Sequence, residues 1–167
     1  MRAATACLLL SLACRGPVEP LRPPPRDAGD PLPTVGGRCE PWPASQYNTS
    51  LMMPGRACLG CHGEDPSDRG LLTVAGTVFA DVRQEDDCPG VDGAEVELTD
   101  AAGRRVRLPT NLAGNFYLRT PVVFPLRARV IAGGRVRAME DDVEHGDCNA
   151  CHTASGEADA PGRIVRP

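Results

Sequence analysis

From residue 71 onward the chain alternates apolar and polar side chains with a period of two. In Gly93–Asp100, GAEVELTD, Ala94, Val96 and Leu98 alternate with Glu95 and Glu97. In Arg104–Leu108, RRVRL, Val106 and Leu108 alternate with Arg105 and Arg107. NFYLRT sets Phe116 and Leu118 on one face, and LRARV and RVRA again alternate apolar residues with Arg. LLTVAGTVFADV, Leu71–Val82, reads as a further strand. Period-two alternation marks strands with one face in a core and one in water. Turn signals separate the runs: CPGVDG, DAAG, NLAG and AGG. The pattern predicts six or seven short strands over residues 71–139, an all-β antiparallel β-sandwich. The outward Arg residues give its surface a charged, aggregation-resistant face.

The flanks differ. Residues 1–13 carry Arg2 followed by an apolar run from Ala3 to Ala13, which predicts a secretory signal peptide too short to span a membrane. The run ends in SLAC, which resembles a bacterial lipobox. That resemblance implies lipidation of Cys14, which becomes the mature N-terminus, and a membrane-anchored lipoprotein of the bacterial cell envelope. Residues 14–38 hold seven prolines after Cys14 and no apolar periodicity. They are expected to form an extended tether reaching up to about 70 Å. Residues 39–70 and 140–167 are loop-rich segments on either side of the sandwich.

GTVFADV…CPGVDGAEVELTDAAGRRVRLPTNLAGNFYLRT resembles the carboxypeptidase regulatory-like or transthyretin-like β-sandwich. The resemblance rests on Gly76 and Val78, Gly93–Leu98, Gly103, Thr110, Gly114 and Phe116. It implies a scaffold or recognition module and supplies no catalytic residue.

Composition narrows the function. The 167-residue chain has a formal charge of −4, which excludes a strongly basic nucleic-acid-binding domain. Pro and Gly together make 35 residues, in keeping with a loop-rich β protein. All 18 basic side chains are Arg. No phosphate-binding loop, nucleophilic triad or catalytic carboxylate pair stands out, so no enzymatic activity is expected.

The chemistry lies in a repeated pentapeptide. Cys58-Leu-Gly-Cys61-His62 and Cys148-Asn-Ala-Cys151-His152 both read Cys-x-x-Cys-His, the attachment signature of c-type haem. On one helical turn, two thiols at this spacing can form thioethers to the porphyrin vinyl groups, and the adjacent imidazole can bind iron. Two of the three histidines occupy the motif position. The expectation is two covalently attached haem c groups, held by Cys58, Cys61 and His62 and by Cys148, Cys151 and His152, with iron ligated by His62 and His152. Candidates for the sixth ligand are His145, Met52, Met53 and Met139. His145 stands too near Cys148 to cross its own haem, but could serve the other if the sites are neighbours. This predicts an exported dihaem electron-transfer protein whose partners are other redox proteins of the cell envelope.

Other readings of the same residues remain open. Each Cys-x-x-Cys could close as a disulfide, or Cys58, Cys61, Cys148 and Cys151 could together make one four-thiolate zinc site. The protein would then be a surface binding or structural module. The motifs could also be remnants that carry no haem. Cys39 and Cys88 are left over, and a disulfide between them would tie the first segment to the sandwich. The strand count matters for the haem reading. An even number of strands between the motifs brings them to one end of the body, and an odd number separates them.

Overall fold

The computed structural model describes residues 39–63 and 70–167. The expected signal peptide, the expected lipidation site Cys14 and the expected tether lie outside the described residues. After a 3-10 turn at Ala44–Gln46 comes α1 (Leu59–His62), a single helical turn. Six strands follow: β1 (Val74–Phe79), β2 (Glu95–Thr99), β3 (Arg105–Pro109), β4 (Asn115–Leu118), β5 (Arg127–Ala132) and β6 (Arg135–Ala138). A second turn, α2 (Cys148–Cys151), and a short β7 (Ile164–Val165) complete the described chain.

The strands form two sheets, ordered β4-β1-β7 and β3-β2-β5-β6. All pairings are antiparallel except β1 with β7, which is parallel. The alternation read from the sequence sets the register. Val96 lies opposite Leu108 and Val130, and Glu97 opposite Arg107 and Arg129. The apolar set from each sheet meets in one core: Val74, Val78, Phe116 and Leu118 from one, and Val96, Leu98, Leu108 and Val130 from the other. Non-directional burial of these side chains is the main favourable term holding the sheets together.

On the opposite face of the four-stranded sheet, Glu97 is not solvated as its place in the alternation suggests. It is 3% exposed. Arg107 Nε and Arg129 Nη2 close over its carboxylate at 2.9 and 2.6 Å. The Arg107 hydrogen bond, helped by the charge of Arg129, holds this carboxyl below the usual carboxylate range.

Every residue of β1 is buried, so both of its faces are covered. One meets the core; the flanking segments cover the other. Part of the free edge of β1 pairs with β7 through Val78 and Phe79. Further along, the Ala75 N–H donates to the Gly146 carbonyl at 2.9 Å and the Thr77 N–H donates to Asn149 Oδ1 at 3.0 Å. Glycines allow this approach. A Cβ on Gly146 would lie 1.8 Å from the Thr73 carbonyl oxygen, and one on Gly76 would lie 2.9 Å from Cys148 Cβ. A Cys39–Cys88 disulfide, with 5.6 Å between the Cα atoms, fastens the first described segment to the loop after β1.

Candidate functional site

Among the described residues six strands separate the two pentapeptides, and the chain returns to where it left. Both motifs fold into one helical turn of the same kind. In the first, the His62 N–H donates to the Cys58 carbonyl at 3.0 Å; in the second, the His152 N–H donates to the Cys148 carbonyl at 2.9 Å. Each turn therefore sets its two thiols three residues apart on one helical face, with the imidazole next in line.

The turns touch through side chains of the second. Asp147 precedes Cys148 at the N-cap position of α2, where Asp commonly caps its own helix. Here it makes no side-chain bond to α2. Its carboxylate instead accepts the N–H groups of Cys58 at 3.2 Å and Leu59 at 2.9 Å, the opening donors of the first turn. Asn149, the first variable residue of the second motif, is 2% exposed. Its Oδ1 accepts the Thr77 N–H, while its Nδ2 donates to the Arg56 carbonyl at 2.9 Å and to Thr77 Oγ1 at 3.1 Å. The same Nδ2 lies 3.8 Å from Cys58 Sγ. Arg163 completes the junction. It is 3% exposed and donates to the carbonyls of Gly55 at 2.9 Å, His152 at 3.1 Å and Gln84 at 2.8 Å. It also pairs with Asp86 and stands 5.1 Å over the Phe79 ring.

The four motif thiols are free. Among the described residues no three His, Cys, Asp or Glu side chains gather as a metal-holding group. Cys58, Cys148 and Cys151 are half-buried, and burial pushes the Cys58 and Cys148 thiols up to about 12, with Asp147 adding to the effect. Cys61 is exposed.

The two imidazoles differ. His152 Nδ1 is 2.8 Å from the Gly162 carbonyl, which can only accept, so Nδ1 carries a proton and, in the neutral ring, the lone pair is on Nε2. A backbone carbonyl on one ring nitrogen commonly orients a histidine whose other nitrogen binds a metal. His62 Nδ1 is buried with no hydrogen-bond partner among the described residues.

Cys58, Cys61 and His62 line one side of an open cleft of about 210 Å³, with Met52, Met53 and Tyr117 also on its walls. Thiols, imidazole and soft apolar side chains on one concavity suit a covalently held porphyrin. The volume is below the ~300–1,000 Å³ of pockets that enclose a drug-sized ligand, so such a group would remain partly exposed. Met53 has φ +42°, in the left-handed region that non-glycine residues seldom adopt. His145 lies beside its own motif, with Nε2 3.9 Å from Cys151 Sγ, and Met139 is exposed.

Sequence reasoning named all six motif residues but missed Asp147, Asn149 and Arg163. Only Asp147 carried a signal, as a capping residue ahead of a helical turn, and that signal pointed to the wrong helix. No family model, curated protein or solved structure matches the chain.

Proposed function

We propose that this chain is an exported, lipid-anchored dihaem c-type electron carrier built around a β-sandwich of the carboxypeptidase regulatory-like or transthyretin-like kind. Cys58 and Cys61 hold one haem c and Cys148 and Cys151 the other, with His62 and His152 as iron ligands. Bound haem supplies one-electron redox chemistry at iron. The chain's own residues hold and orient it. The Gly162 carbonyl fixes the tautomer of His152, and Met52 and Met53 offer thioether sulfur at the first site. The observation that carries the reading is the meeting of two Cys-x-x-Cys-His turns, each closed by a bond from the His N–H to the first Cys carbonyl, joined by Asp147 across the chain. Adjacent attachment points suit electron passage between two haems and onward to a redox protein of the cell envelope. The Cys39–Cys88 disulfide supports export to an oxidising compartment. A sixth ligand from Met, rather than a second His, would raise the potential of its site.

The test is the absorption spectrum of the reduced full chain made with a haem-maturation apparatus, with a pyridine haemochrome assay. The reading expects c-type bands; material without covalent haem would refute it.

One observation favours a second reading, a binding or structural module with paired or zinc-bound sulfurs: Cys58 and Cys148, both half-buried and free, lie near enough for the charge of one to act on the other. Intact mass with and without reductant, together with metal analysis, separates the two.

A further inference from the structure

We propose that Asp147 and Asn149, which belong to the second motif segment, are positioning residues for the first motif, so that attachment at Cys58 and Cys61 depends on the second segment while attachment at Cys148 and Cys151 does not depend on the first. The haem part of this statement rests on the function proposed above; the positioning part does not.

The asymmetry is in the hydrogen bonds. The second turn is fastened to β1 by main chain: the Ala75 N–H donates to the Gly146 carbonyl, and Gly76 and Gly146 leave room for the contact. The first turn begins at Cys58 with no side-chain cap from its own segment. Its two opening N–H groups go to Asp147. Unpaired N–H groups at a helix start need a partner, and a four-residue turn has little stability of its own. Shortly ahead of Cys58, Arg56 has its carbonyl bound by Asn149 Nδ2. Asn149 is suited to this because it is acceptor and donor at once: Oδ1 takes the strand's Thr77 N–H and Nδ2 serves the first segment. Aspartate would lack the donor, and leucine would lack both. Beside these bonds Asn149 Nδ2 stands against Cys58 Sγ, so the thiol's placement follows that of Asn149.

The test uses the full chain in two forms. In haem-free chain, the alkylation rates of the four motif cysteines are read by peptide mass mapping over a pH series and compared as rates of the thiolate, because Asp147 also raises the Cys58 and Cys148 thiols. Asp147→Ala and Asn149→Leu are expected to speed alkylation of Cys58 by about tenfold, the change that goes with one lost hydrogen bond, while exposed Cys61 stays within about twofold. In matured chain, the same variants are expected to lose haem from the Cys58–His62 peptide and keep it on the Cys148–His152 peptide. The double variant Cys58→Ser, Cys61→Ser is expected to leave loading of the second peptide unchanged. Asp147→Asn keeps one acceptor oxygen and should fall between parent and Asp147→Ala, which separates positioning from general unfolding. Cys58 alkylation within about twofold of parent in both variants, or equal acceleration at all four cysteines, would overturn the proposal. Absence of haem from parent chain refutes the electron-carrier reading alone, because the alkylation result still decides the positioning.

Discussion

Arg163 offers the sharpest test of how the junction is held. Its side chain is 1% exposed, and it joins carbonyls from three segments: Gly55 before the first motif, His152 at the end of the second, and Gln84 in the loop that the disulfide anchors. Arg163→Met keeps an apolar stem over Phe79 and removes every donor. A buried acceptor stripped of its partner costs about 1–3 kcal/mol. The partner Asp86 is half-exposed and rehydrates, so its ion pair contributes little. The three carbonyls dominate, and the expected loss is about 3–5 kcal/mol, a large share of the ~5–15 kcal/mol that holds a typical domain. Thermal unfolding of haem-free chain, followed by circular dichroism, should show a fall in Tm of roughly 10–20 °C. Arg163→Lys restores charge without the planar fork and should recover less than half of the loss. Asp86→Asn should cost less than about 1 kcal/mol. If Arg163→Met lies within about 1 kcal/mol of the parent, the clasp assigned to Arg163 is wrong.

Other expectations follow from the same geometry. Reducing the Cys39–Cys88 disulfide, which spans 49 residues, should cost about 4 kcal/mol by loop-closure entropy, read as the difference in urea midpoint with and without reductant. Gly76→Ala places a Cβ 2.7 Å from Phe116 Cζ and 2.9 Å from Cys148 Cβ, and should destabilise by about 1–3 kcal/mol through overpacking while speeding alkylation of Cys148. The Glu97 carboxyl is held below its ordinary value in the folded chain by Arg107 and Arg129. Its contribution is therefore present above the ordinary carboxylate range and lost as pH falls through the lower folded value. Glu97→Gln should flatten the acid side of a Tm-against-pH curve. Cys58 and Cys148 act in the opposite direction: with folded values raised to about 12, they favour the folded, haem-free chain at neutral pH. That share is lost as pH rises from about 9 toward 12, which a Cys148→Ala variant should lessen.

Much of the body was legible because burial on one sheet face forces alternation. Glu95–Thr99 and Asn115–Leu118 fall within runs where the apolar period is two, and Arg105–Pro109 and Arg127–Ala132 overlap such runs for most of their length. Ile164–Val165 escaped notice because two apolar residues between arginines have no measurable period; the strand exists through its pairing with Val78 and Phe79. The motif residues were legible because Cys-x-x-Cys-His is itself a local pattern. The residues that join the two motifs were not. Asn149 and Arg163 are polar residues buried through distant partners, Thr77 standing 72 positions from Asn149 and Gly55 108 positions from Arg163. No local spacing encodes such a contact. Glu97 shows the same limit from the other side: alternation placed it correctly on the outer face but could not tell that two arginines would cover it.

The most direct measurement is the intact mass of the full chain after maturation in cells that attach haem c, with peptide mapping of the adducts. The account predicts two haem additions per chain, one on Cys58 and Cys61 and one on Cys148 and Cys151. A chain of unmodified mass, with these four sulfurs paired to one another or holding zinc, would contradict it.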